Sequence, residues 1–182
     1  MTMTSLTGKF LLASRDLLDP NFARSAVLIV RHDEEGAFGL IVNKPMPVSV
    51  KAALGSTVEA AATVDAAVYS GGPCDGPVFV LHGDEMVGGE SPVPGVFCTT
   101  DRDAIEALLV AATKPIKVFG SYSGWSPSQL EGELEEGSWV VCDATANHVF
   151  SADPNLWQHL SSRANVSKYV RPDRIPDDPT VN

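Results

Sequence analysis

The residues best suited to binding or catalysis gather in one segment, Gly120–Trp139, which reads GSYSGWSPSQLEGELEEGSW. Trp125 stands in a glycine-containing predicted turn, and Gln129 follows it within a predicted short helix. A tryptophan beside a free helix N-terminus is typical of a pocket for a small ligand or a partner. Trp125 can equally pack the helix onto a sheet, and the sequence leaves both interpretations open.

Acidic residues crowd the predicted helix that follows, where Glu131, Glu133, Glu135 and Glu136 lie close together. Paired carboxylates can act as acid and base or bind hard metal ions. A run of this kind is more often a solvated helix face, and early glutamates also favour the helix dipole. We therefore interpret the run as surface rather than as a metal site.

A nucleophile and its base could come from Cys74 with His32 or His82. Nothing local marks Cys74 as reactive, because its neighbour Asp75 is acidic whereas reactive cysteines lie beside basic groups. The four histidines lack the spacing of metal ligands. We expect no metal and no cofactor, and we keep a weak hydrolase or transferase using Cys74 and His32, or the glutamates, as the alternative to a binding function.

Composition narrows the class of protein further. The chain has 182 residues, 44% hydrophobic, with a net charge of −10, which predicts one globular domain and disfavours nucleic acid as a partner. No apolar run reaches the ~20 residues that cross a bilayer, so no membrane partner is expected. The three cysteines are widely spaced and odd in number, which favours a reducing cytoplasm.

Apolar runs separated by turn residues predict how the chain is organised. Ser25–Arg31 and Ala37–Asn43 form a predicted hairpin, and both strands are apolar enough to be covered on both faces. Interleaved hairpins and helices favour an α+β fold with one domain over 1–170, and the proline-rich residues 171–182 predict a disordered tail. Further strands are predicted at Lys9–Ala13, Ala67–Ser70, Pro77–His82, Val96–Thr99 and His148–Phe150, and helices at Val48–Leu54, Arg102–Thr113 and Asn155–Ala164.

The Gly120–Trp139 segment carries its own boundary signals. A strand at Ile116–Phe119 precedes it, and Ser126 is placed as the N-cap of the helix, with Gln129 completing a capping box. Gly137 suits the end of the helix. A last strand, Trp139–Asp143, follows.

Four segments together resemble the AlgH/YqgE family of small bacterial proteins: GKFLLASRDLLDPNFARSAV, HDEEGAFGLIVNKP, YSGGP and GWSPSQLEGEL. The resemblance implies a flattened, mostly antiparallel β-barrel or sheet with helical excursions. It implies no settled activity, although one member is named as a regulator of alginate production. Ser128 departs from the family, which usually has glycine there.

The family motif also includes residues that we expect to bind a ligand or partner, namely Arg24, Asn43, Lys44, Trp125, Gln129 and Glu131. The prediction is a non-enzymatic cytoplasmic protein that binds a small ligand or a protein partner and regulates, if at all, indirectly. Direct DNA binding is the least supported function, because the chain is acidic and shows no helix-turn-helix. The oligomeric state and the identity of the ligand stay open.

Overall fold

Ten strands and five α-helices make up the fold, and the computed structural model describes residues 4–169. The strands are β1 Lys9–Ala13, β2 Ala26–Asp33, β3 Gly36–Ile41, β4 Pro45–Ser49, β5 Ala67–Tyr69, β6 Cys74–His82, β7 Glu90–Val93, β8 Val96–Thr99, β9 Ile116–Trp125 and β10 Trp139–Asp143. The helices are α1 Val50–Leu54, α2 Arg102–Val110, α3 Gln129–Glu135, α4 Ala146–Val149 and α5 Leu156–Tyr169, with a 3₁₀ helix at Glu59–Thr63. The predicted tail, 171–182, lies outside the described residues.

The strands join in one sheet with the order β10-β1-β2-β3-β9-β6-β8-β7. Their pairing along this path is antiparallel throughout, while β5 pairs with β9 in parallel and carries β4 on its other side. The sheet curls so that β7 comes back against β2, but the two strands form no ladder within the described residues. The α+β prediction is confirmed. Of the expected flattened barrel or sheet, the structure shows an open, curled sheet.

Side chains cover both faces of the sheet, as the apolar strands predicted. The inner, concave face holds a core that includes Phe10, Leu28 and Phe119, and α5 packs against it through Leu156 and Leu160. The outer face carries two separate cores. One lies under α3 beside β1–β3, and the other lies under α1, α2 and the 3₁₀ helix.

Several predicted elements differ from the structure. The helix predicted at Val48–Leu54 begins only at Val50, because Pro45–Ser49 forms β4, which pairs with β5. The predicted turn after Phe119 is wrong, because β9 continues to Trp125, pairing first with β6 and then with β3. Pairing on both sides outweighs the local preference of its glycines and serines for turns. The predicted strand at His148–Phe150 is also wrong, since α4 forms there and the Thr145 hydroxyl caps it.

The start of α3 differs from the predicted N-cap, whereas its end matches the predicted stop at Gly137. The helix begins at Gln129 after Ser128, whose φ of 65° lies in the left-handed region, so Ser126 is not the N-cap. Ser126 still meets Gln129, because its N–H and its hydroxyl both donate to the side-chain amide oxygen. At the other end Gly137, with φ 78°, allows the N–H groups of residues 137 and 138 to bond back into the helix.

Candidate functional site

The two tryptophans of the Gly120–Trp139 segment share one carboxylate. The Nε1 atoms of Trp125 and Trp139 donate to the same oxygen of Glu133, at 2.9 and 2.8 Å. Gln129 donates to the other Glu133 oxygen at 3.0 Å. Trp125 is only 5% exposed, so its ring and its N–H are both used within the protein. This network fastens α3 to the outer face of the sheet.

Phe22 links a second segment to these tryptophans. Its ring lies 5.3 Å from the Trp139 ring in an edge-to-face arrangement and 6.1 Å from that of Trp125. Residues 14–25, which connect β1 to β2, are therefore anchored at their middle by an aromatic contact of the favourable geometry. The remainder of this connection is free to line other surfaces.

His32 and Glu131 are paired on the outer face. The Leu6 N–H donates to His32 Nδ1 at 3.1 Å, which requires that nitrogen to be unprotonated. The proton of the neutral ring therefore sits on Nε2, which lies 3.0 Å from a Glu131 oxygen. Both ring nitrogens are engaged, so His32 holds the N-terminal segment against α3.

Cys74 lies far from both candidate bases. β3 and β9 separate β6 from β2, which places Cys74 and His32 about 14 Å apart along the sheet. They also face opposite sides, because Cys74 pairs with Tyr122 on the inner face while His32 contacts α3. His82 stands at the other end of β6. Their partners on β9, Tyr122 and Ile116, are six residues apart, so Cys74 and His82 lie about 20 Å apart along the strand. The structure therefore does not bring together the thiol and the bases that the cysteine version of the hydrolase alternative needs, whereas His32 and Glu131 of the glutamate version are in contact.

Asn43 and Lys44 hold the connection between β1 and β2 from the end of β3. The Asn43 amide donates to the Arg24 carbonyl and accepts from the Ala26 N–H, each at 2.9 Å. Lys44 donates to the carbonyl of Asn21 at 2.8 Å. Burial lowers the pKa of Lys44, and the negative charge of Asp19 opposes that effect. These two side chains position the connection that carries Arg24.

Arg24 has a strained backbone that this network maintains. Its φ of 57° lies in the left-handed region, which non-glycine residues seldom adopt. The bond from Asn43 to its carbonyl and the turn bond from Ser25 N–H to Phe22 carbonyl keep it there. Strained residues of this kind cluster at binding and catalytic sites.

A cavity of about 660 Å³ lies beside Arg24, and we call it the arginine cavity. Residues of three elements contribute its walls: the β1–β2 connection, the end of β3 and the start of α5. Two of its lining residues are charged and both are arginines, since no Asp or Glu appears among the lining residues in the described part of the chain. The lining residues that matter here are Arg15, Leu18, Arg24, Asn43, Trp157 and Gln158.

Charge and polarity in this cavity suit an anion. Neither Arg15 nor Arg24 forms an ion pair with any residue between 4 and 169. The first turn of α5 also borders the cavity at Trp157 and Gln158, where helical N–H groups have no partner within the helix. The indole N–H of Trp157 donates to the Ala13 carbonyl at 2.9 Å, so its ring presents only an apolar surface to the cavity. The cavity thus combines positive charge with an apolar surface.

The predicted binding residues therefore divide between two places. Arg24 and Asn43 line the arginine cavity, and Lys44 supports it from behind. The other three predicted residues lie around α3 on the outer face. Trp125 and Gln129 donate to Glu133, and Glu131 contacts His32. Sequence reasoning missed Arg15 and Trp157. Arg15 lies within the quoted family segment, and that was the signal that could have found it.

Lys117 is a buried cation that the sequence reasoning also missed. It is 5% exposed, and its ammonium donates to the carbonyls of Val42 and Ser151, each at 2.7 Å. The same nitrogen lies 4.5 Å above the centre of the Tyr69 ring. Burial lowers the pKa of Lys117 to about 8. A lysine within the otherwise apolar start of β9 was the available signal.

Fold and cavity together define a class, a small α+β protein with an open antiparallel sheet and an arginine-lined cavity at one end. A family model described as AlgH-like matches residues 10–168. The chain belongs to this AlgH-like family, as the four segments predicted. None of the helices within residues 4–169 is long and apolar enough to cross a membrane.

Relatives match along almost the full chain. A UPF0301 protein of Chlorobaculum tepidum is 38% identical over 96% of this chain and 95% of its own length. One from Streptomyces avermitilis is 37% identical over 99% and 97%. The solution structure of AlgH from Pseudomonas aeruginosa is similar with a TM-score of 0.72 and 28% identity, covering 91% of this chain and 90% of that one.

Proposed function

We propose that this protein is a non-enzymatic binding protein whose arginine cavity takes a small anionic ligand. The observation that carries the proposal is that Arg15 and Arg24 line one cavity and, among the residues that the structure describes, neither forms an ion pair and no acidic residue joins the lining. The chain as a whole has a net charge of −10, so a local site of positive charge runs against the average of its surface. Phosphate and carboxylate groups match the planar donors of arginine.

The ligand also has an apolar part under this proposal. Leu18 is 86% exposed at the cavity, and the Trp157 ring forms another part of the wall. A volume of about 660 Å³ falls in the range that small-molecule sites occupy. Anionic metabolites with a flat or apolar portion, such as nucleoside monophosphates and aromatic carboxylates, have this combination. A regulatory role would then be indirect, exerted through a protein that responds to the liganded state.

The test is a thermal-shift and calorimetric series with AMP, benzoate and inorganic phosphate, with adenosine as the uncharged counterpart of AMP. A ligand at ~100 times its dissociation constant stabilises the fold by about 2.7 kcal/mol, which raises the melting temperature by several degrees. Arg15→Gln and Arg24→Gln should each weaken binding about tenfold or more, because each removes a charged donor.

Arg163→Gln is the matched control, since Arg163 is an exposed arginine of α5 outside the cavity lining. This variant should bind like the unchanged protein. Equal affinity in the double variant Arg15→Gln/Arg24→Gln would place the ligand elsewhere and overturn the proposal. A blank series would also contradict it and would favour a protein partner at this surface.

We also propose a cytoplasmic location. Cys74, Cys98 and Cys142 are all free thiols, and free thiols are typical of a reducing compartment. Fractionation of cells producing a tagged protein tests the location. Recovery of the protein with an extracytoplasmic fraction would contradict the proposal.

A further inference from the structure

A second concave site lies on the inner face, where the curled sheet brings β7 back against β2. It is a pocket of about 440 Å³ that is separate from the arginine cavity and shares no lining residue with it. Strands β2, β3, β6, β7, β8 and β9 all contribute to its walls. Openings of barrel-like sheets are recurrent positions for ligand sites. We call this site the aromatic pocket.

Three aromatic rings form one continuous wall of the pocket. Phe38 and Phe79 have ring centres 4.9 Å apart, and Tyr122 lies 5.6 Å from each of them. All three side chains are partly exposed, on top of the inner core. Glycines make room for the tyrosine, because a Cβ at Gly76 would come within 2.8 Å of its ring. The absence of a side chain at Gly76 therefore lets the three rings form a wall that faces the pocket.

A β-bulge directs Arg31 into the same pocket. The register of β2 against β3 shifts between Ile29 and Arg31, so Arg31 pairs with Phe38 and faces the same side. Without the extra residue, Arg31 would face the outer layer that His32 now occupies. Bulges re-aim side chains in this way and are common beside functional sites. The position of Arg31 is therefore a consequence of the fold rather than of a flexible surface.

Glu90 supplies the opposite charge on the neighbouring strand. It pairs with Cys98, a buried residue of the inner core, and so faces the pocket. Burial, with a further contribution from the Glu90 charge, raises the pKa of Cys98 to about 12, so this thiol stays neutral. Arg31 and Glu90 line one pocket but form no ion pair with each other. One positive and one negative group thus both face the space beside the aromatic wall.

We infer that the aromatic pocket binds a small aromatic zwitterion, a compound with a flat ring, a carboxylate and an ammonium group, such as an aromatic α-amino acid. The ring stacks on Phe38, Phe79 and Tyr122, the carboxylate pairs with Arg31, and the ammonium pairs with Glu90. Ring stacking alone would accept many compounds. The two opposite charges select one that carries both groups.

The test compares three probes on the unchanged full-length protein by isothermal titration calorimetry. L-Tryptophan carries both charges, tryptamine lacks the carboxylate, and indole-3-propionate lacks the ammonium. Tryptophan should bind at least about tenfold more tightly than either analogue, because each lost charged contact removes a charge-assisted hydrogen bond. This comparison does not depend on any variant folding correctly.

Variants then assign each charge to its residue. Arg31→Gln should abolish the preference for tryptophan over tryptamine and leave its preference over indole-3-propionate. Glu90→Gln should do the reverse. Arg163→Gln, an exposed arginine of α5 outside both cavities, and Glu85→Gln, an exposed residue before β7, are the controls and should leave all three affinities unchanged.

Equal affinity for the three probes, or no heat of binding at millimolar tryptophan, would overturn the inference. Either result would mean that Arg31 and Glu90 do not pair with the charged groups of a ligand. Loss of tryptophan binding in Arg15→Gln would likewise contradict it by moving the site to the other cavity. The two proposals can be distinguished, because the two sites share no residue and the changes at Arg31 and Glu90 act on the aromatic pocket alone.

Discussion

Ser128 shows how a single backbone angle explains a residue preference. Its φ of 65° lies in the region that favours glycine, which gives a physical reason for the glycine that the family resemblance leads us to expect at this position. The side chain receives no capping bond in return. Serine at this position therefore leaves the backbone strained at the start of α3.

Replacing Ser128 with glycine should stabilise the protein by about 1 kcal/mol, because an L-residue in the left-handed region costs about that much. Urea unfolding of Ser128→Gly against the unchanged chain measures the gain. Ser56→Gly is the control, since Ser56 is exposed but lies outside the left-handed region. It should be neutral or destabilising, and equal stabilisation by both changes would contradict the explanation.

Lys117 carries a charge into the interior, and no carboxylate between residues 4 and 169 pairs with it. Two carbonyls and the Tyr69 ring satisfy its ammonium, and they join β9 to the end of β3 and to the segment before α5. Its pKa is lowered to about 8 in the folded protein by burial. The unfolded chain therefore holds this proton more tightly than the folded protein between pH 8 and the ordinary lysine pKa of 10.5.

Stability should consequently rise with pH through this interval, because the unfolded state binds more protons there. Between pH 7 and 9.5 the gain from this group is about 2 kcal/mol, measured as the unfolding free energy of the unchanged protein relative to Lys117→Met. Cys98 titrates in both proteins, so its opposite effect cancels in the comparison.

Lys51→Met, which removes an exposed lysine of α1, controls for the loss of one positive charge. The difference in unfolding free energy between Lys51→Met and the unchanged protein should vary much less with pH. Parallel pH profiles for the unchanged protein and Lys117→Met would show that burial does not perturb this amine.

At the scale of elements, α3 is fastened to the sheet chiefly through one side chain. The helix has seven residues, too few to be stable alone. Leu130 packs beneath it, and Glu133 accepts from both indoles and from Gln129. The contacts of Trp125 are those of the packing interpretation, and ligand binding by Trp125 stays a prediction.

Glu133→Ala should destabilise the protein by about 3 kcal/mol, because it leaves two largely buried indole donors without an acceptor. The exposed Glu136→Ala should change stability by less than about 0.5 kcal/mol. Urea unfolding followed by tryptophan fluorescence measures both, and the emission of the native Glu133→Ala protein should also shift to longer wavelength. Similar stabilities for the two variants would mean that the helix is held by Leu130 alone.

At the scale of the whole molecule, the distribution of charge decides the class of partner. The net charge is −10, and the arginine cavity is a local exception of a size that fits a metabolite rather than a duplex. Proteins that bind DNA directly present a continuous basic surface to the phosphates. The charge of this chain argues against that mode of binding.

Fluorescence anisotropy with a labelled DNA duplex should therefore detect no binding at physiological ionic strength. The physical reason is repulsion between an acidic protein and a polyanion, which is weakest when salt screens it. The same titration with a basic DNA-binding protein is the positive control. Affinity that falls steeply as salt increases would show phosphate contacts and restore the direct regulatory hypothesis.

Local pattern was sufficient for much of the architecture. β1, β8 and β10 have the predicted bounds, and the hairpin of β2 and β3 forms where apolar β-branched residues flank a turn. α2 and α5 follow helical spacing of apolar residues. These features depend on neighbours within a few positions, so the sequence by itself determined them. It also determined the family, through segments that are specific only in combination.

Tertiary structure decided which residues meet. The continuation of β9 through Trp125 depends on pairing with β6 and β3, and the bulge before Arg31 depends on its register against Phe38. A shift of one residue exchanges the faces of a strand, so no local pattern specifies which side chains share a cavity. That is why the sequence predicted Arg24, Asn43 and Trp125 as one set of binding residues, although the structure places Trp125 on the far side of the connection that Phe22 anchors.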